Sequence, residues 1–137
     1  SARIGDSQGK CRMTSLMGNI ALREANDSCQ VDAKQAFLVE ARRCYEESFC
    51  IAQSQGNLTN LFFAASGLLS VAVEAQAEKG VIEECERIYQ VCDMMNCAGA
   101  HYSEDSRQEL REAAERAATA YPVATACLSK LLALLPE

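Results

Sequence analysis

Leu58-Thr59-Asn60-Leu61-Phe62-Phe63-Ala64-Ala65-Ser66-Gly67-Leu68-Leu69-Ser70-Val71-Ala72-Val73 is the apolar centre of an uncharged window running from Ser48 to Val73. Phe62, Phe63, Val71 and Val73 would suit a strand, but the run is long for one, and its alanines and leucines favour a helix. As a helix it extends about 24 Å, short of the roughly 20 apolar residues that a bilayer span requires. A helix with so little polar face must be surrounded by others. The stretch is therefore read as the central strut of an all-α bundle, with Ala64, Ala65, Ser66 and Gly67 letting neighbouring backbones approach closely. Two readings stand beside core packing: a wall for an apolar ligand, made by Leu61, Phe62, Leu68 and Leu69, and a membrane-active helix.

The flanking segments supply cover for such a strut. Val81, Ile82, Cys85, Ile88, Tyr89, Cys92 and Met95 form an amphipathic stripe opposite Glu83, Glu84, Glu86 and Arg87, and Gly80 is placed as the stop of the central helix before it. Toward the amino terminus, Phe37, Ala41, Cys44, Ser48 and Ile51 share a stripe in a helix that Asp32 would cap with Gln35. Before that, Met13, Leu16, Met17 and Ile20 recur at i, i+3, i+4 and i+7, the pattern of a first helix ended by Asn26-Asp27-Ser28. Residues 1–10 are read as a flexible polar tail until Cys11, and 11–137 as one helical domain. Toward the carboxyl terminus, Ser103 or Ser106 caps a helix lined by Leu110, Ala113, Ala114, Ala117 and Tyr121. Pro122 kinks that helix or starts another, in which Cys127, Leu128, Leu131, Leu132, Leu134 and Leu135 are apolar and which Pro136 ends. The expected architecture is a bundle of five or six helices stapled by disulfides.

The staples are inferred from eight cysteines in 137 residues, an even number more typical of a secreted product than of a cytosolic one. Spacing alone leaves 105 pairings open for eight cysteines. Cys44 and Cys50 project from different helix faces, whereas Cys85 and Cys92, seven apart, share one. A zinc cluster of Cys85, Cys92 and Cys97 lacks the short ligand pairs such sites use, and the carboxylates Glu83, Glu84 and Glu86 lack the oxygen loop of a calcium site. No cofactor is expected. The sequons Asn26-Asp27-Ser28 and Asn57-Leu58-Thr59 make Asn26 and Asn57 glycan acceptors in a secretory pathway. The chain begins without a charged segment followed by an apolar one, so any signal peptide is expected to have been removed.

A net charge of −6 with no basic cluster argues against a nucleic-acid partner and makes a membrane partner an unfavoured reading. His101-Tyr102-Ser103-Glu104-Asp105 gathers a base, hydroxyls and carboxylates, but catalytic groups are assembled across a fold rather than along one turn. A solvated loop leading into a helix cap is the preferred reading, and no catalytic residue is assigned.

Ala36-Phe37-Leu38-Val39-Glu40-Ala41-Arg42-Arg43-Cys44 and Glu83-Glu84-Cys85-Glu86-Arg87-Ile88-Tyr89-Gln90-Val91-Cys92, with Cys127 35 positions further on, resemble the middle of the stanniocalcins. These are secreted glycoprotein hormones built from disulfide-linked helices, in which A-F-x-x-E-x-x-x-C precedes E-E-C-x6-C and a later cysteine. The resemblance implies the pairings Cys44–Cys85 and Cys92–Cys127, leaving Cys11, Cys29, Cys50 and Cys97 for two further bonds of unassigned connectivity. The chain departs from the family in length, in the Cys44-to-Cys85 spacing, in its amino-terminal cysteines and in ending before the cysteine used for dimerisation. Neither homodimerisation nor the family's roles in mineral regulation or protease inhibition are carried over. The expectation is a secreted, extracellular, non-enzymatic binding protein, a hormone-like or toxin-like ligand of an extracellular protein or receptor. The alternatives are a carrier of a lipid or other apolar ligand and a membrane-active helical protein.

Overall fold

Six α-helices follow one another in a computed structural model that describes the backbone of residues 2–135 and the side chains of residues 10–135. They are α1 (Ala2–Asp27), α2 (Val31–Gln55), α3 (Leu58–Glu74), α4 (Glu78–Ala98), α5 (Glu104–Ala120) and α6 (Thr125–Leu134), with a 3-10 turn at Pro122–Ala124 before α6. There is no strand among the described residues. None of the described helices is long and apolar enough to cross a membrane.

The charge-free stretch is the middle of the molecule. Helix α3 packs against α1, α2, α4 and α5. It sends Leu61, Phe62, Ala65, Leu69 and Ala72 into a large core shared with α4, α5 and α6, and Leu68 and Val71 into a smaller one shared with α1 and α2. Each Leu or Phe buried this completely contributes roughly 1.5–3 kcal/mol. Helix α4 presents the expected stripe inward, with Val81, Cys85, Ile88, Cys92 and Met95 buried. Leu110, Ala113, Ala114 and Ala117 of α5 and Leu128, Leu131 and Leu135 at the carboxyl end close the large core.

Local chemistry sets most of the boundaries. Gly56 and Gly99 end α2 and α4 with φ of 66° and 67°, the left-handed geometry in which glycine carries no Cβ penalty. The Asn57 side chain accepts from the Asn60 N–H at 3.1 Å and caps α3, and Ser103 accepts from the Ser106 N–H at 3.1 Å and caps α5. Pro122 starts a separate element rather than kinking α5. Pro136, assigned as the last stop, lies outside the described residues.

Four readings are corrected. Helix α1 already runs from Ala2, so the segment expected as a polar tail enters the helix well before Met13. Helix α2 starts one residue before Asp32 and has no side-chain cap; Asp32 sits in its first turn, where a carboxylate favours the helix dipole. Gly80 lies inside α4, and α3 instead ends in the turn Ala75-Gln76-Ala77, with Gln76 at φ 56°. Most consequential is the face of α1: Met13, Leu16, Met17 and Ile20 are 61, 56, 46 and 55% exposed. The buried side is instead the seam Cys11, Thr14, Gly18, Ala21 and Ala25.

The reason is close approach. Small residues on α1 let it lie tightly along α2, where a Cβ on Gly18 would sit 2.9 Å from the Tyr45 ring. Cys11 and Ser15 meet Ser48 across the seam, with Ser15 Oγ and Ser48 Oγ 2.6 Å apart and Ser48 donating to the Cys11 carbonyl at 3.2 Å. Once the small residues face inward, helical periodicity turns the large ones outward.

Candidate functional site

Helix α3 is not covered all round. Between α1 and the start of α5 its surface forms the floor of a cleft of about 470 Å³, within the size range of small-molecule sites. Phe62, Phe63, Ser66, Gly67 and Ser70 come from the floor; Arg12, Ser15, Leu16, Asn19 and Leu22 from α1; Tyr45 from α2; and Ser106 and Glu109 from α5.

The cleft is chemically two-sided. Phe62, Phe63, Leu16 and Leu22 are apolar, and Phe62 is held edge-on to Tyr102 with ring centroids 5.3 Å apart. Neutral hydroxyls and amides from Ser15, Asn19, Thr59, Asn60, Ser66, Ser70 and Ser106 alternate with them. The two charged side chains, Arg12 and Glu109, are of opposite sign. Two groups fix the site. The Tyr45 ring is 1% exposed, packed against Gly18 and Gly67, with its hydroxyl donating to Asn19 Oδ1. Burial holds that phenol well above its usual range, so it stays a neutral donor. The Ser66 hydroxyl is buried and has no hydrogen-bond partner. An unpaired buried hydroxyl costs about 1–3 kcal/mol, a cost that rotation of the Ser66 side chain toward a partner in the cleft would offset.

Of the four residues expected to wall an apolar cavity, Phe62 alone lines this cleft. Leu68 lines a smaller cavity of about 210 Å³ on another side of α3, with Leu38, Val71 and Glu84. Leu61 and Leu69 are core residues, 4 and 0% exposed, and border neither. Periodicity marks which positions are apolar; it does not mark where two neighbouring helices part.

All eight cysteines are thiols in this structure. Cys85 and Cys127 are in sulfur contact at 2.7 Å across α4 and α6. Neither pairing implied by the resemblance, Cys44–Cys85 or Cys92–Cys127, is bonded in this structure. Cys44 lies 3.6 Å from Glu40 Oε1, and burial raises its thiol pKa. Cys92 is fully buried beside Tyr102, whose hydroxyl is 3.0 Å from the Cys92 carbonyl, and burial pushes its thiol up to about 12. Cys11 is buried against Ser48, and Cys29, Cys50 and Cys97 are exposed. No group of three or more metal-ligating side chains forms among the described residues.

His101 is exposed and Ser103 is the α5 cap, as the loop-and-cap reading has it, while Tyr102 folds back into the core. Of the two sequons, Asn26 is exposed in the last turn of α1, whereas Asn57 is half-buried and occupied as the cap of α3. Glu84, expected on the solvated face of α4, is 5% exposed. It lies 3.6 Å from Arg87, which reaches across to Glu46 at 3.1 Å and lies 5.0 Å over the Phe49 ring. Burial raises the Glu84 pKa, with Arg87 opposing. Comparison with known proteins finds no family model, no curated protein and no solved structure that matches the chain.

Proposed function

We propose that the protein is a non-enzymatic binding protein whose α1–α3–α5 cleft takes a small, neutral, amphipathic molecule: an apolar ring body carrying a hydroxyl or carbonyl. The observation that carries this reading is the unpartnered Ser66 hydroxyl in the floor of the cleft, beside Phe62 and Phe63. The apolar rings supply area, and the hydroxyls and amides supply orientation, the usual division of labour in small-molecule sites. Opposite charges at Arg12 and Glu109 favour a neutral ligand over an anion or a cation. A secreted, extracellular carrier fits the cysteine count, with Asn26 the more accessible glycan acceptor.

The test is titration with 1-naphthol, a neutral aromatic alcohol, followed by calorimetry. Saturable binding at one site is expected, abolished by Ser70→Phe, which fills the cleft, and weakened about fivefold by Ser66→Ala, the loss of one ordinary hydrogen bond. Binding unchanged by Ser70→Phe would overturn the assignment.

A second reading rests on the exposed stripe Met13, Leu16, Met17 and Ile20. A contiguous apolar helix face of this kind suits insertion into the groove of a protein partner. The hormone-like role that the stanniocalcin resemblance implies would act through this face, on an extracellular protein. Met17→Asp would then abolish capture by that partner while leaving 1-naphthol affinity unchanged.

A further inference from the structure

We propose that Cys85 and Cys127 are the two halves of a disulfide that fastens α6 to α4. The two residues stand 42 positions apart in sequence, and the fold brings their sulfurs into contact. Cys85 is fully buried in the inward stripe of α4, and Cys127 packs against the same core from α6, only partly buried. Helices α4 and α6 pack directly on one another, and Val81, Ile88, Leu128 and Leu131 belong to the core around the pair. The backbone is thus already held where the bond needs it. The other cysteines do not compete: Cys11 is engaged by Ser48, Cys44 lies beside Glu40 and Arg43, Cys92 lies beside Tyr102, and Cys29, Cys50 and Cys97 face solvent.

The chemistry follows from the difference in burial. A low-molecular-weight disulfide, oxidised glutathione for instance, reaches the more accessible Cys127. Its thiolate attacks one glutathione sulfur, the glutathione S–S bond breaks, and a mixed disulfide forms with release of one glutathione. Cys85 then loses its proton and attacks the Cys127 sulfur, releasing the second glutathione. Two protein thiols are oxidised by two electrons, and one oxidised glutathione becomes two reduced ones. Burial raises the Cys85 thiol well above its usual range, so the second step is slow near neutral pH and accelerates as pH rises. The finished bond closes a loop containing α5 and the 3-10 turn and so limits the unfolded chain.

The full chain is incubated with oxidised glutathione, its remaining thiols are alkylated, and peptides are mapped without reduction. A Cys85–Cys127 cross-linked peptide, absent after Cys127→Ser, is the expected result, together with a higher thermal midpoint for the oxidised protein than for the same protein reduced. Mapping the wild-type chain keeps the test independent of how the variant folds. Cys85 linked to Cys44, Cys127 linked to Cys92, or Cys85 and Cys127 both recovered alkylated would overturn the proposal.

Discussion

Gly67→Ala tests the packing that builds both the core seam and the cleft. A Cβ at position 67 would fall on the Tyr45 ring, 2.6 Å from Cδ1 and closer to Cε1 and Cζ, and the ring is 1% exposed with Gly18 against it as well. Tyr45 cannot retreat without leaving its hydrogen bond to Asn19. Overpacking of this kind costs about 1–3 kcal/mol, and the lost hydrogen bond about 1 kcal/mol. Alanine recovers about 1 kcal/mol over glycine in a helix interior, which leaves a net loss of roughly 1–3 kcal/mol. Gly80→Ala is the matched control, because Gly80 also lies within a helix. Its Cβ would meet only Ala77 Cβ at 3.3 Å and Ala72 Cβ at 3.7 Å, so a helix-propensity gain of up to about 1 kcal/mol is set against one tight contact that Ala77 must relieve, and stability changes little. Urea unfolding followed by circular dichroism should separate the two midpoints by roughly 1–2 M at unchanged slope. The 1-naphthol affinity should fall in Gly67→Ala, where Tyr45 is displaced, and hold in Gly80→Ala. Equal midpoints for the two variants would refute the claim that Tyr45 fills the space above Gly67.

Glu84→Gln should stabilise the protein near pH 7 and have little effect near pH 4. A buried carboxyl with a raised pKa holds its proton more tightly folded than unfolded, so stability is greatest below the ordinary carboxylate range and falls as pH rises through the folded value. Urea midpoints across that range check it; a loss near pH 7 would mean that the pairing with Arg87 outweighs desolvation. Asn57→Ala removes the side-chain acceptor at the start of α3 and should cost about 1 kcal/mol, read from the same midpoints, with faster amide exchange confined to the first turn of α3. Tyr102→Phe strips a buried hydroxyl that lies 3.0 Å from the Cys92 carbonyl and 2.9 Å from Asn96 Oδ1, and should cost about 1–2 kcal/mol in thermal unfolding.

Much of the fold was legible because its signals are local. A charge-free run, a clean stripe on α4 and two serines ahead of Leu110 give the central helix, its main cover and the start of α5, with the cap left between Ser103 and Ser106 until the structure shows Ser103. The misread features each depend on a neighbour. Met13, Leu16, Met17 and Ile20 have the spacing of a buried face, but Cys11, Thr14, Gly18, Ala21 and Ala25 have it too, and closeness to α2 decides between them. Glu84 belongs to a polar face by periodicity, yet the packing of α4 buries it beside Arg87. The cleft has no sequence signature. Its lining is drawn from four helices, and Ser66, its most informative member, reads in sequence as one more small residue.

The seam also explains why the two proposed binding features adjoin. Packing α1 on α2 through small side chains leaves its large ones with nowhere to go but solvent and the edge of α3. Leu16 takes both positions: it belongs to the exposed stripe, and it lines the cleft opposite Ser106 and Glu109. A protein seated on the α1 stripe would therefore touch the rim of the small-molecule site. Helix α1, which contributes five of the lining residues, packs mainly on α2 and more lightly on α3, and among the described residues it joins the large core through Cys11 alone. The proposed cysteine clamp belongs to that core, between α4 and α6. Fastening there adds no bond to α1, while α3, packed against α4 and α5, holds Ser66 and Phe62 in place.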